Sequence, residues 1–298
     1  MILPKSNNRF SIVKFIIVFL ILIFSTQGCD SGYKSKDINQ LRVYRKNFKV
    51  PLKGKKILLY GDSISSSEYP WYKLALEELT GAEVYAGGFP GYTTSQLAKD
   101  AQLQLIFDYR PDIIICLVGG NDAGVKGEVG TFGATDEILV KTTDITKDYS
   151  GYTFIQAIAH IIEKIDEHYD IDENTHMLSA EDISPEKPLL VFCTTLPQKR
   201  SNRFNKFSRS DNWLRKRDAV VECCDKYKVH CIDLYNLCDW DFSNEPYWTP
   251  PTDIYTSRGI FTMDGVHPNQ KGYEDMARSV YEELALESAD NLEPGKFQ

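Results

Sequence analysis

The stretch LLYGDSISSSEYPW, residues 58–71, sets an apolar run against four serines within five positions, Ser63, Ser65, Ser66 and Ser67. An apolar run that stops at Gly61-Asp62-Ser63 reads as a buried strand ending in a turn. Serines after a strand are ordinarily solvated turn residues or caps. Ser63 differs by position: it is the first residue past the strand, at a strand-to-helix turn, where its hydroxyl would stand in any crevice at the strand's end. Ser65, Ser66 and Ser67 are carried further and are expected to cap or solvate the turn.

Outward from this stretch the chain alternates. The apolar runs KILLY (56–60), AEVYA (82–86), DIIICLV (112–118), PLLVFCTT (188–195) and VHCIDLY (229–235) read as buried strands. Helical patterns lie between them, near 70–80, 94–109, 152–168 and 211–227, with a last one at 270–286. Pro70 suits a first helical turn and Thr80-Gly81 its end, Thr93 and Thr94 suit a cap, and Pro111 a stop. Strands alternating with helices predict βαβ units, and so a three-layer α/β/α sandwich around a five-stranded parallel sheet. One domain over residues 54–288 accounts for this pattern, with a tail at 289–298.

The composition is that of a globular protein: 298 residues, 42% hydrophobic, 26% charged, net charge −8. An acidic balance argues against a nucleic-acid partner. The N-terminus departs from the rest. Lys5, Arg9 and Lys14 precede FIIVFLILIF (15–24) and then STQGCD, the order of a secretory signal peptide. Ten helical residues rise about 15 Å, half a hydrocarbon core; counting back to Ile12 lengthens the segment but buries Lys14, and an uncleaved anchor stays an open alternative. The segment TQGC resembles the lipobox of bacterial lipoproteins, which implies acylation of Cys29, removal of residues 1–28, and a membrane-anchored protein of the cell envelope. An ordinary signal peptide ending near a cysteine is the other reading. Residues 29–53, polar and basic, read as a tether. Cys116 and Cys193 fall within strands as buried hydrophobes. Cys223, Cys224, Cys231 and Cys238 lack zinc-ligand spacing, and their pairing is open.

In an open parallel sheet, loops leaving the carboxyl ends of the strands line the ligand crevice. Four unusual stretches occupy such loops: Gly61-Asp62-Ser63, GGFPGYTT (87–94), GGND (119–122) and MDGVHPN (263–269). Serine needs a positioned base, and that base an orienting group. Among the five histidines, His267 has Asp264 three residues before it across a glycine turn, so the carboxylate can meet one ring nitrogen while the other faces a substrate. His176 has Glu173 at the same spacing, but its segment leads into the fourth strand at the opposite edge. His160 suits a helix face, and His168 and His230 have no comparable partner. Glycine loops also suit nucleotides, yet no GxGxxG opens the first helix.

Taken together and in order, these four blocks resemble the SGNH (GDSL-type) hydrolase family over about residues 56–285. The resemblance implies a flavodoxin-like fold and an esterase that needs no metal or organic cofactor. It implies Ser63 as nucleophile, His267 as base and Asp264 as orienter, with an oxyanion hole formed by the backbone N–H groups of Ser63 and Gly91 and the amide of Asn121. One departure is Ala86, where many members carry asparagine.

The family spans carbohydrate esterases, lipases, lysophospholipases and thioesterases, so the fold does not select a substrate. Residues 197–217 carry eight basic side chains against one acidic. They read as a solvated loop and helix start, or as a positive rim for an anionic substrate with Lys199, Arg200 and Arg203. Residues 239–255 place Trp240, Phe242, Tyr247, Trp248 and Tyr255 among Asn, Asp and Pro. That pattern suits a sugar platform with Trp248 on the rim, or a cover over the sheet end. Neither loop has a continuous aliphatic lining. A short-chain ester on a glycan, acetyl among the acyl groups, is the favoured expectation; a glycan-binding surface lipoprotein without catalysis is the non-enzymatic alternative. The insert Ala123–Ser150 reads as a lid or a partner surface.

Overall fold

The computed structural model describes residues 49–122, 153–171, 182–196, 209–238, 240 and 259–285. Five strands, β1 (Lys56–Gly61), β2 (Glu83–Gly88), β3 (Ile113–Leu117), β4 (Leu189–Cys193) and β5 (His230–Ile232), form one parallel sheet in the order β2-β1-β3-β4-β5. The register sets Gly61 opposite both Gly88 and Leu117, so the loops after β1, β2 and β3 leave side by side. Helices α1 (Trp71–Thr80), α2 (Thr94–Leu97), α3 (Asp100–Tyr109), α4 (Phe154–Tyr169), α5 (Arg209–Tyr227), α6 (Leu234–Leu237) and α7 (Gln270–Leu284) accompany it.

Alternation along β1 explains the layering. Ile57 and Leu59 join Ile113, Ile115 and Val191 on one face, against Leu76 and Leu79 of α1 and Met276 and Val280 of α7. Leu58 and Tyr60 join Ile114, Cys116 and Phe192 on the other, against α3, α4 and α5. Covered on both faces, the strands need apolar residues at every position, which is why they read as unbroken apolar runs. Each aliphatic side chain buried there contributes up to about 1.5–3 kcal/mol. The expected three-layer α/β/α sandwich is the observed one.

Local signals act as their chemistry requires. Thr93 and Thr153 each close a capping box, with Gln96 and Gln156 respectively, and Gly81 ends α1 in the left-handed region. One expectation fails. The helix predicted over 94–109 is two, broken where Lys99 turns extended. The phenol of Tyr60 donates to the Leu97 carbonyl at 2.6 Å, the acceptor a continuous helix would give to residue 101. Val50 and Leu52, assigned to the tether, are buried in the core, and the Val50 N–H donates to the Leu284 carbonyl at 2.8 Å.

The cysteines in the described residues, Cys116, Cys193, Cys223, Cys224, Cys231 and Cys238, are all buried and free. Burial pushes the Cys116 and Cys193 thiols well up, as for inert packing residues. Among the described residues no helix is long and apolar enough to cross a membrane. The segments carrying Cys29, His176, Lys199, Arg200, Arg203, Trp248 and the insert Ala123–Ser150 lie outside the described residues.

Candidate active site

Past Gly61 the chain leaves β1 and makes one tight turn, Ser63–Ser65, capped by Asp62. Asp62 is buried and works in two directions. Its Oδ1 accepts the Ile64 N–H at 3.0 Å, fixing the turn that carries Ser63. Its Oδ2 accepts the Gly120 N–H at 3.1 Å, tying this turn to the loop after β3. Ser66 Oγ donates to the Ser63 carbonyl at 2.8 Å. Ser66 thus caps the turn, as expected of these serines, while Ser65 is buried rather than solvated; of the three, only Ser67 is exposed.

The second half of the site is the turn before α7. Gly265 N–H donates to Thr262 Oγ1 at 3.0 Å and Met263 N–H to the His267 carbonyl at 2.8 Å, closing the loop on itself. Asn269 then caps α7 by accepting the Gly272 N–H. Within this turn Asp264 Oδ2 accepts from His267 Nδ1 at 2.7 Å, while Oδ1 accepts the N–H groups of Val266 at 2.9 Å and His267 at 2.7 Å. The Asp264 side chain is fully buried. Burial by itself would raise its pKa. The hydrogen bond and charge of His267 and the two backbone N–H groups outweigh that and hold the carboxyl below its usual range.

The two halves meet at 2.9 Å, between Ser63 Oγ and His267 Nε2. With Nδ1–H committed to Asp264, Nε2 is left as the acceptor facing the serine hydroxyl. Tyr69 packs on the imidazole, with ring centroids 4.9 Å apart. Its phenol is pushed up to about 12 by burial first, then by Glu68 and Asp264, so it stays neutral beside the pair.

The remaining predicted residues lie on the neighbouring loops. Gly91 sits at φ +81°, a left-handed conformation that favours glycine. Asn121 Nδ2 donates to the Tyr92 carbonyl at 3.1 Å, which fixes the amide beside Gly91. Asp122 accepts both N–H and Oγ1–H of Thr94, locking the loop after β3 to the start of α2. Among the described residues neither the Ser63 nor the Gly91 N–H has a hydrogen-bond acceptor. Ala86 pairs with Leu59 inside the sheet, and the turn of Asn121 takes its support from Tyr92 and Thr94 instead.

Side chains from both stretches weighed for substrate fall among the described residues. Lys216 and Arg217, counted within the basic stretch, are 1% and 4% exposed and so form no rim. Trp240 is buried, stacks on Phe261 at 5.2 Å and donates to Asp275, so it covers the sheet end rather than offering a platform. Sequence reasoning assigned no role to Asp62, Tyr69 or Lys216. Asp62 stood inside a quoted motif, but its second partner is 58 residues away. Among the described residues no group of three or more His, Cys, Asp or Glu side chains is placed to hold a metal ion.

Comparisons with known proteins agree with this fold and identify its family. The family model of the GDSL-like lipase/acylhydrolase family matches residues 59–274. No curated protein matches the chain. Among solved structures, the chain is similar to one described as "a possible lipase" from Chitinophaga pinensis, at 18% identity and a TM-score of 0.53, covering 76% of this chain and 96% of that one. It is also similar to a GDSL-like lipase from Parabacteroides merdae, at 17% identity and a TM-score of 0.50, covering 80% and 98%. At such identities the likeness concerns the fold.

Proposed function

The chain belongs to the GDSL-like lipase/acylhydrolase family and is a serine hydrolase, and from that premise we propose that Ser63, His267 and Asp264 carry out acyl transfer from an ester to water. The observation that carries this is the unbroken line Ser63 Oγ to His267 Nε2 at 2.9 Å and His267 Nδ1 to Asp264 Oδ2 at 2.7 Å. Ser63 Oγ attacks the ester carbonyl carbon as its proton passes to Nε2. The carbonyl oxygen takes the negative charge and is held by the N–H groups of Ser63 and Gly91 and the amide of Asn121. Fixed donors of this kind lower the barrier by roughly 3–4 kcal/mol each. The tetrahedral species collapses, the C–O bond to the leaving alcohol breaks, and Nε2–H protonates it. Water then attacks the acyl-serine by the same route and releases the acid. Asp264, held anionic, keeps Nδ1 protonated and stabilises the imidazolium at each stage.

For the substrate, the reading is a short-chain ester, acetyl among the acyl groups, on a carbohydrate. Support comes from rings that flank the site in the described residues: Tyr69 on His267, and the Phe89–Tyr92 ring pair at 5.4 Å on either side of Gly91 in the chain. Rings next to amide and hydroxyl groups suit a sugar better than an extended acyl chain. Ser63→Ala should abolish turnover and labelling by a serine-directed phosphonate. In the wild type, p-nitrophenyl acetate and acetylated oligosaccharides should be cleaved faster than p-nitrophenyl decanoate. An active Ser63→Ala variant defeats the mechanism, and a preference for decanoate defeats the substrate reading. The reading extends to an exported protein anchored in the cell envelope through acylated Cys29. Fatty-acid labelling of the wild type and not of Cys29→Ser supports that, and an unlabelled, freely soluble wild type rejects it.

A further inference from the structure

Lys216 sits in α5 with 1% of its surface exposed, an environment that disfavours an ammonium unless strong partners compensate. Its Nζ donates to the Gly119 carbonyl at 3.0 Å. It lies 4.6 Å from the ring centroid of Trp213, one helical turn earlier, and 5.9 Å from that of Phe154. Both aromatic faces attract a desolvated cation.

The Gly119 carbonyl and the Gly120 N–H are the two ends of one peptide group. Lys216 holds the oxygen end, and the buried Asp62 carboxylate accepts from the nitrogen end at 3.1 Å. A cation and an anion thus grip one peptide plane from opposite sides, each matched to the partial charge it meets. This plane needs the grip. It joins two glycines, which rotate more freely than any other pair, and it directly precedes Asn121. Gly119 is at φ +104°, and a Cβ there would fall 2.4 Å from Thr195 Cγ2, so no side chain could stiffen the position instead.

We infer that Lys216 is a positioning residue for acyl transfer: acting through the Gly119–Gly120 peptide, it fixes the Asn121 amide where charge develops on the substrate oxygen. This rests on the role proposed above for Asn121. The turn of Ser63 has its own hold, Asp62 Oδ1 on the Ile64 N–H, so loss of Lys216 falls on the donor rather than on the nucleophile. A donor that helps only at the transition state raises kcat and leaves KM nearly alone.

The test is a double-mutant cycle on p-nitrophenyl acetate with Lys216→Met, Asn121→Ala and the double variant, each checked by circular dichroism and thermal melting. Displacement of a catalytic group by an ångström costs about 10²-fold. Lys216→Met should therefore lower kcat by about 10–10²-fold while KM moves less than about threefold. Lys216→Arg, which keeps a cationic donor, should recover most of that loss. In the Asn121→Ala background Lys216→Met should cost less than about threefold, since the group it positions is gone. If Lys216→Met does not fold, Lys216→Gln takes its place in the cycle. A wild-type kcat in the folded variant, or equal losses in both backgrounds, overturns the proposal while leaving Asn121 intact. A wild-type kcat in Asn121→Ala instead removes the oxyanion reading, and the role of Lys216 with it.

Discussion

Replacing Asp264 by asparagine tests the charge logic of the site with one atom changed. The wild-type carboxylate accepts three hydrogen bonds, two backbone N–H groups on Oδ1 and His267 Nδ1–H on Oδ2. Asparagine has one acceptor oxygen and one NH2. With the oxygen kept toward the two backbone groups, the NH2 faces His267 and Nδ1 must become an acceptor. The ring proton then moves to Nε2, 2.9 Å from Ser63 Oγ, and the base cannot take the serine proton. Turning the amide over restores the tautomer but sets NH2 against two N–H groups. That leaves two buried N–H groups without their acceptor, at about 1–3 kcal/mol each, roughly 2–6 kcal/mol together. The inactive arrangement is therefore the lower one. The same tautomer error in the serine-protease triad costs about 10⁴ in kcat, or about 5.5 kcal/mol, within the range obtained from this hydrogen-bond count. Asp264→Asn should thus lower kcat on p-nitrophenyl acetate by about 10³–10⁴-fold, with the circular dichroism spectrum unchanged. A folded variant within about tenfold of wild type would show that the carboxylate does not set the tautomer, and the reasoning fails.

Asn121→Ala should lose about 10²–10³-fold in kcat on the same ester, the usual cost of one oxyanion donor; full activity would remove it from that role. Gly119→Ala combines a positive φ with a methyl overlapping Thr195, so about 2–5 kcal/mol of stability should go, read as a lower thermal midpoint. An unchanged midpoint would contradict the packing. For pH, the Asp264 carboxyl is held below its usual value, so the stability it contributes is complete above the unfolded-state value of about 3.9. It is lost as pH falls through the lower folded value. Urea midpoints of wild type and Asp264→Asn should therefore converge between pH 7 and pH 3, and a gap that widens on acidification would reverse the sign.

Much of this was legible in the sequence because it is local. Buried parallel strands leave continuous apolar runs, and each of the five predicted contains the observed strand or most of it. Ser63 and the Asp264–His267 pair were legible because a strand end and an i, i+3 turn fix them over a few residues. What escaped depends on partners far along the chain. The break after α2 is imposed by Tyr60, 37 residues before Leu97. Lys216 counted as one more surface cation because its acceptor, Gly119, is 97 residues away. The burial of Ser65 and Ser66 escaped because nothing nearby in sequence reveals the end of β2 closing over them; a Cβ on Gly88 would meet Ser66 N at 2.5 Å.

The contact between Val50 and the end of α7 has a mechanical consequence. Val50 is joined to Leu284 by a hydrogen bond and to Ala285 by a parallel bridge, so the first and last described parts of the chain are tied to each other. A pull transmitted through the segment before Val50 is met first by that tie and by the buried Val50 and Leu52 side chains. From there it must travel the full length of β1, hydrogen-bonded to a strand on each side, before it reaches Ser63. Tension applied there would be spent at the amino end of the sheet, the length of β1 away from Ser63.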